Sequence, residues 1–524
     1  MDERELKEQE TDLHLRLWES QEEINSLKQF LFEINSRLSV LTSDMETVLN
    51  ARGIRSLLKM HAILGAVKRE SFSKKMQLIR RIFLRTAGIK KPLDINKYRM
   101  DIQLKQYLRK IEKLLDDPRN VQLKDMEAVE SKKNLQKLVK KILDSDYDRI
   151  VMWNSSFGWN VTLFQRPQHI ASALAKQRTL VFYEVTEYTD PRVRTLREQC
   201  HNLWLVNRDS RAHKILLEEL QNITKPKYMQ IYSTEQELSV LDIRQYQKEG
   251  YYILYEYIDD INPDISVTKK IPINIQKKYE YVMNHPEIPV VVTAERLCKD
   301  VESKRGMAHV AYATNGVDYK HFTARTGAGT KLKRRYLETL QKGKIIVGYY
   351  GALASWFDYK LVKETARRRK DLIFVLIGKL YDDSFQKAGL TKYENIIYLG
   401  EVPYGQLPAY AERFDICTIP FVVNELTNAT SPLKLFEYMA LAKPIITTGM
   451  HECKKYKSVL IADGCEEYCR KIDLAISYMK VKNEQYYGLL KKEALENTWD
   501  GKAESIINML EHYEHSIGRE EKDG

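Results

Sequence analysis

The sequence is short of three things. No stretch of about 18 uncharged apolar residues, the length a membrane-spanning helix needs, occurs in its 524 residues. The amino terminus, Met1-Asp2-Glu3-Arg4-Glu5, is charged where a secretory signal requires an apolar run. The six cysteines (Cys200, Cys298, Cys417, Cys453, Cys465 and Cys469) are scattered, with no C-x-x-C pair and no histidine at ligand spacing, which argues against a disulfide framework and against a zinc site. Short internal repeats and low-complexity tracts are missing too. The expectation is a cytoplasmic protein in a reducing compartment, working without a metal or other cofactor.

What is present falls into three zones, and the length leaves room for two α/β domains and an extension. In residues 1–50, Leu17, Ile24, Leu31, Leu38 and Met45 recur every seven positions, and Leu27, Ile34, Leu41 and Val48 form a second series three positions later. These are the a and d positions of a coiled coil, so residues 13–50 are expected to join copies of the chain, as a parallel dimer. An amphipathic helix folded back on its own protein is the alternative. Residues 51–147 read as helical and basic. From 51 to 150 there are 26 Lys and Arg against 12 Asp and Glu, which accounts for the net charge of +12. The run Phe72 to Arg85 interleaves apolar residues with five cations and no acid. Residues 51–145 could therefore lie on an anionic membrane at the inner face, or pack on their neighbours with a solvated basic side. Nucleic acid is disfavoured, because no binding motif or aromatic stacking pattern accompanies the charge.

The third zone alternates strand-length apolar runs with helical stretches. Arg149 to Asn154, Thr179 to Val185, Leu203 to Asn207, Tyr228 to Tyr232, Tyr251 to Tyr255, Pro289 to Thr293 and Val310 to Thr314 read as strands of one sheet. Lys344 to Tyr350, Leu372 to Gly378, Asn395 to Gly400, Ile416 to Pro420, Pro444 to Thr448 and Ser458 to Ile461 read as strands of another. This implies two Rossmann-like domains, 148–318 and 319–515, with the last helix returning to the first domain and a tail over 516–524. Ligands belong at the carboxyl ends of such strands.

The stretch from Asn424 to Ile446 carries the most chemistry. Ser431 is a natural N-cap and Pro432 suits the first helical position, so a helix is expected to start there with free amides able to bind phosphate. Lys434 and Glu437 are three apart and share a face, which offers a cation to a diphosphate and a carboxylate to a ribose diol. A surface pair on an ordinary helix has the same pattern, and spacing alone leaves both readings open.

The stretch resembles the donor-binding motif of retaining GT-B glycosyltransferases related to family 4, near the teichuronic acid branch, whose motif runs N-x-L-T, P-x-K-x-x-E-Y and G-K-P. Tyr349 to Asp358, Asn315-Gly316-Val317-Asp318 with Phe322, Asn395 to Val402 with Leu407 to Pro420, and Phe164 to Ala171 resemble further family passages in the right order. The resemblance covers nearly all of 148–515. It implies a glycosyltransferase, retaining rather than inverting, that moves sugar from a nucleotide-sugar donor, a UDP-sugar, to a glycan or lipid-linked glycan in surface polysaccharide synthesis. Carried over, Glu437 binds the ribose and Lys434 the diphosphate and leaving charge. Ser431 and Leu433 offer amides, and Gly351 and Ala352 let a loop approach the phosphates. Val402 faces the base through its backbone with Tyr404 near, or Tyr404 simply packs. Arg166, Gln165 and His169 reach the acceptor, with a structural arginine and a buried imidazole as the alternatives for Arg166 and His169.

The family's earlier glutamate, separated from the later one by seven residues in the motif, has no counterpart here: Ala429 stands in its place. Asn424 or Glu425 would have to substitute on the sugar. Asp259 and Asp260, ending an acceptor-side strand, are candidates for a general base or an acceptor-orienting group. The loss at Ala429 also raises a catalytically inactive scaffold organised by its coiled coil, and the shared fold raises a sugar-nucleotide 2-epimerase.

Overall fold

The structure is a computed structural model describing residues 132–154, 158–161, 164–186, 189–261, 271–324 and 332–523. The expected coiled coil and all of the basic region before residue 132 lie outside the described residues.

The first sheet contains β1 (Arg149–Trp153), β2 (Thr179–Val185), β3 (Leu196–Cys200), β4 (Leu203–Asn207), β5 (Lys227–Tyr232), β6 (Tyr252–Tyr257), β7 (Val290–Val292) and β8 (Val310–Tyr312). Their order is β3-β4-β2-β1-β5-β6-β7-β8. All neighbours run parallel except β3, which pairs antiparallel with β4 at the edge across a register shift. Alternate residues of the sheet feed opposite faces: Ile150 and Met152 enter one apolar cluster, Val151 and Trp153 the other. Burial on both faces explains the near-continuous apolar strands of the sequence. The β3 segment, Leu-Arg-Glu-Gln-Cys, is mostly exposed and has no apolar pattern that would mark it as a strand.

The first face is covered in part by the helix Lys132–Leu143, which buries Leu135, Val139, Ile142 and Leu143 in that cluster. This helix, assigned from sequence to the basic region, is therefore part of the first α/β unit. The opposite face is covered by the helix Arg166–Ala175 and by the final helix, Trp499–Asp523, through Ala503, Ile506 and Leu510. The buried Arg149 pairs with Glu514 of that final helix, Nε to Oε1 2.9 Å, and the Tyr228 hydroxyl donates to the same carboxylate at 2.8 Å.

The second sheet contains β9 (Ile345–Tyr350), β10 (Leu372–Ile377), β11 (Ile396–Tyr398), β12 (Ile416–Ile419), β13 (Ile445–Thr447) and β14 (Val459–Ile461). Its order is β11-β10-β9-β12-β13-β14, all parallel. It has its own apolar core. The final helix packs on the first sheet, and the two halves touch where Phe164 and Arg296 of the first meet Tyr404 and Glu425 of the second. No described helix is long and apolar enough to cross a membrane.

Candidate active site

The helix carrying Lys434 and Glu437 spans Leu433–Ala440. It begins one residue later than expected: Pro432 is the N-cap and no side chain caps the first turn. Ser431 is not the cap. It is buried, and its carbonyl accepts a hydrogen bond from Asn315 Nδ2 at 2.7 Å. Proline's fixed φ tolerates the capping position, while Ser431 is held back by the segment that links the two sheets. Leu433 packs against the apolar cluster of the first sheet, so the helix start lies at the junction.

Lys434 is half-buried, with Nζ 5.0 Å from the Phe421 ring centroid and 5.6 Å from that of Tyr349. Glu437 is 2% exposed. Burial pushes the glutamate up to about 7, opposed by the Tyr350 hydroxyl and then by Lys434. Burial pushes the lysine down to about 8, opposed by Glu437. Glu437 is thus enclosed, and the half-buried Lys434 lies against the rings of Phe421 and Tyr349.

Gly351 follows β9 with φ +140°, a conformation open to glycine, and a Cβ there would stand 2.6 Å from Lys434 Cε. Gly378 follows β10 with the same φ, and a Cβ on it would be 2.0 Å from the Gly351 carbonyl oxygen. Two bare backbones therefore pass each other beside the lysine. Ala352 accepts from the Tyr349 hydroxyl at 2.8 Å. Val402 is buried in the second core, so only its backbone is left to meet a ligand.

Tyr404 joins the two halves. Its ring stacks on Phe164 (5.2 Å, 4°) and on His321 (4.6 Å, 20°) and meets His169 edge-on. Its buried hydroxyl has no hydrogen-bond partner, and the tyrosine is held above its ordinary range by burial and then by the nearby Glu437. His169 is buried and stacks on Trp499 at 4.9 Å. Burial lowers it to about 3, so it is neutral at pH 7 and a weak base. The imidazole is a packed one, and in this conformation it does not open onto the crevice as a catalytic or acceptor contact would.

Arg166 is likewise buried. Its Nε donates to Glu256 Oε2 at 2.7 Å and its Nη1 to the Thr314 carbonyl at 3.1 Å. Gln165 is exposed at the helix start and donates its backbone N–H to Gln168 at 3.0 Å. Glu256 was not singled out from sequence, although a lone charge in the run Tyr251 to Tyr257 already demands a buried partner.

Asn424 is engaged as a helix cap: its Oδ1 accepts from Thr427 N–H at 2.9 Å, opening the short helix Glu425–Asn428. The N-x-L-T motif is thus also a capping motif, with the asparagine Oδ1 engaged in the cap. Glu425 is 80% exposed in its side chain and lies 3.7 Å from Arg296, which pairs with Asp260 at 3.0 Å. Asp259 is raised to about 6 by burial first and by Asp260 second. Ala429 is fully buried in the apolar cluster of the first sheet, where a glutamate would be an unpaired buried charge. Arg296, absent from the sequence reading, brings the aspartate and glutamate of opposite halves together. Among the described residues no His, Cys, Asp or Glu cluster is placed to hold a metal ion.

Comparison with known proteins agrees with this architecture. Residues 345–477 match the family model of glycosyl transferases group 1. The chain is 28% identical over 184 residues to TuaH of Bacillus subtilis (strain 168), whose name assigns it to teichuronic acid biosynthesis as a glycosyltransferase; the match covers 34% of this chain and 44% of that relative's length. In fold it is similar to sucrose-phosphate synthase from Thermosynechococcus elongatus, with TM-score 0.51, 13% identity, and coverage of 71% of this chain and all (100%) of that one. It is similar also to Anabaena HepE, solved with UDP and glucose, with TM-score 0.50, 12% identity, and coverage of 70% and 100%. Residues 345–477 are thus similar to the group 1 glycosyl transferase domain, in a chain whose described part has a GT-B-like fold of two α/β halves.

Proposed function

We propose that the chain is a glycosyltransferase that moves a sugar from a UDP-sugar to a glycan or lipid-linked glycan acceptor during polysaccharide synthesis. The observation that carries this reading is the placement of the half-buried Lys434 and the buried Glu437, one helical turn apart, at the junction of the two sheets beside Gly351. UDP in the HepE structure and the polysaccharide context of TuaH support the donor and the pathway class.

In this reading 319–515 is the donor domain and 148–318 the acceptor domain. The diphosphate sits on Lys434 and on the uncapped amides of the first helical turn at Leu433, which stabilise the charge developing on the departing nucleotide. Ionised Glu437 accepts from the ribose diol. The base lies near the Val402 backbone, against Tyr404. Asp260, held by Arg296, orients the acceptor, and configuration at the transferred sugar is retained. Closure of the halves excludes water that would hydrolyse the donor. The protein works in the cytoplasm, dimerised through 13–50 and seated on the inner membrane face through the basic region before residue 132. A thermal-shift screen of nucleotide sugars against wild type, Glu437→Ala and Lys434→Ala tests the site. UDP-sugars should stabilise the wild type, Glu437→Ala should lose most of that shift, and Lys434→Ala should lose turnover more than binding. Equal shifts and equal turnover in all three would remove the assignment.

A further inference from the structure

A cavity of about 290 Å³ opens at the amino end of β6, on the edge of the first sheet that faces away from the crevice. The chain builds it where the helix Val240–Lys248 turns into the strand. Gly250, at φ +80°, ends that helix. The Tyr251 N–H donates to the Tyr246 carbonyl at 2.9 Å and the Gly250 N–H to the Gln247 carbonyl at 3.1 Å, which is a Schellman stop. The strand follows at once, so Tyr251 and Tyr252 stand at its start and join the clusters on opposite faces of the sheet. Tyr513 of the final helix meets Tyr252 edge-on at 5.3 Å. Gln247 and Glu287 are the exposed side chains of the lining.

The lining sets the chemical class. Glu287 is its one charged residue, so an anion would meet a like charge and no lining cation. An organic cation would suit the rings, but Lys227 already stands over Tyr251, with Nζ 5.3 Å from the ring centroid. A wholly apolar ligand would cover Gln247 and Glu287 without pairing them. A neutral sugar satisfies all of these groups. Its C–H faces suit tyrosine rings, and its hydroxyls both donate and accept. Gln247 Oε1 accepts from the Tyr281 hydroxyl at 3.1 Å, which leaves the amide nitrogen to donate, while the Glu287 carboxylate accepts. The volume lies near the lower end of ligand pockets, about 300–1,000 Å³, and suits a single sugar unit.

We propose that this cavity is a second saccharide-binding site, one that performs no chemistry and keeps a sugar unit of the glycan on the protein between transfers. The six residues of β6, roughly 20 Å at about 3.3 Å per residue, separate it from the carboxyl ends of the strands. A chain held at one point stays at high local concentration at the other. That role rests on the glycosyltransferase reading; the affinity for a sugar does not.

The test uses the full-length protein in saturation-transfer NMR, with methyl glycosides of the common hexoses and N-acetylhexosamines as probes and tetramethylammonium as the cationic control. At least one glycoside should receive saturation from the wild type. Transfer should fall at least fivefold in Gln247→Ala combined with Glu287→Ala, two exposed positions, while the melting temperature and the UDP thermal shift stay unchanged. Glu437→Ala should leave transfer as in the wild type. No transfer to any glycoside, a fall of less than fivefold in the double variant, or transfer to tetramethylammonium alone overturns the proposal. A glycoside signal lost in the double variant, from a wild type that shows no UDP thermal shift, upholds the site and sinks the donor reading.

Discussion

A methyl group added to Gly351 would stand 2.6 Å from Lys434 Cε and 3.2 Å from its Nζ. The lysine rests on a backbone that only glycine leaves bare. Gly351→Ala should therefore displace Lys434 and lower turnover by roughly tenfold or more, in the range seen when a group stabilising transition-state charge is misplaced. Steady-state donor turnover beside a thermal-shift titration reads this; loss of binding with turnover per bound donor intact would contradict it. Gly378→Ala, with a Cβ 2.0 Å from the Gly351 carbonyl oxygen, should destabilise the fold itself.

The stability of the unliganded protein should depend on pH through the same helix. Glu437 is raised from 4.5 to about 7 by burial, so its contribution is full below pH 4.5 and is lost as pH rises through about 7. Lys434 is lowered from 10.5 to about 8, so its contribution is full above pH 10.5 and is lost as pH falls through about 8. Stability from this pair is lowest between pH 7 and 8, each limb amounting to about 1–3 kcal/mol. Urea denaturation across pH should show Glu437→Gln losing the acidic limb and Lys434→Met the alkaline one. Donor affinity should weaken below about pH 7 in the wild type and be flat in Glu437→Gln.

Two arginine pairs should behave differently. Arg166 and Glu256 are 7% and 0% exposed in their side chains, so Arg166→Met strands a buried carboxylate and should cost about 3–5 kcal/mol. Adding Glu256→Gln should restore much of it. Arg296→Met breaks pairs that are largely solvated, with Arg296 43% exposed, and should change stability by about 1 kcal/mol or less. Equal losses in thermal melts of the two single variants would refute the distinction.

Removing residues 1–50 should reduce the oligomer to a smaller species without abolishing donor binding. Light scattering that gave one mass for both proteins, equal to a monomer, would end the zipper hypothesis.

Much of the fold was legible in the chain because parallel strands buried on both faces must be apolar throughout. Runs such as Thr179–Val185 and Leu372–Ile377 declare themselves. The edge strand Leu196–Cys200, exposed and polar, carries no such mark. The Lys434 and Glu437 pair was visible as helical spacing, but its enclosure was not, since spacing puts two residues on a face and says nothing of what covers that face.

The sequence by itself determined the alternation of elements, the helix start near Pro432 and the chemistry available at each position, because propensity and periodicity are local. Only the tertiary structure decided that His169 is packed between rings, that Arg166 answers Glu256, and that Ala429 lies in the core of the other half. Each of these depends on residues far apart in the chain or on how a side chain is enclosed, and no local pattern encodes that proximity.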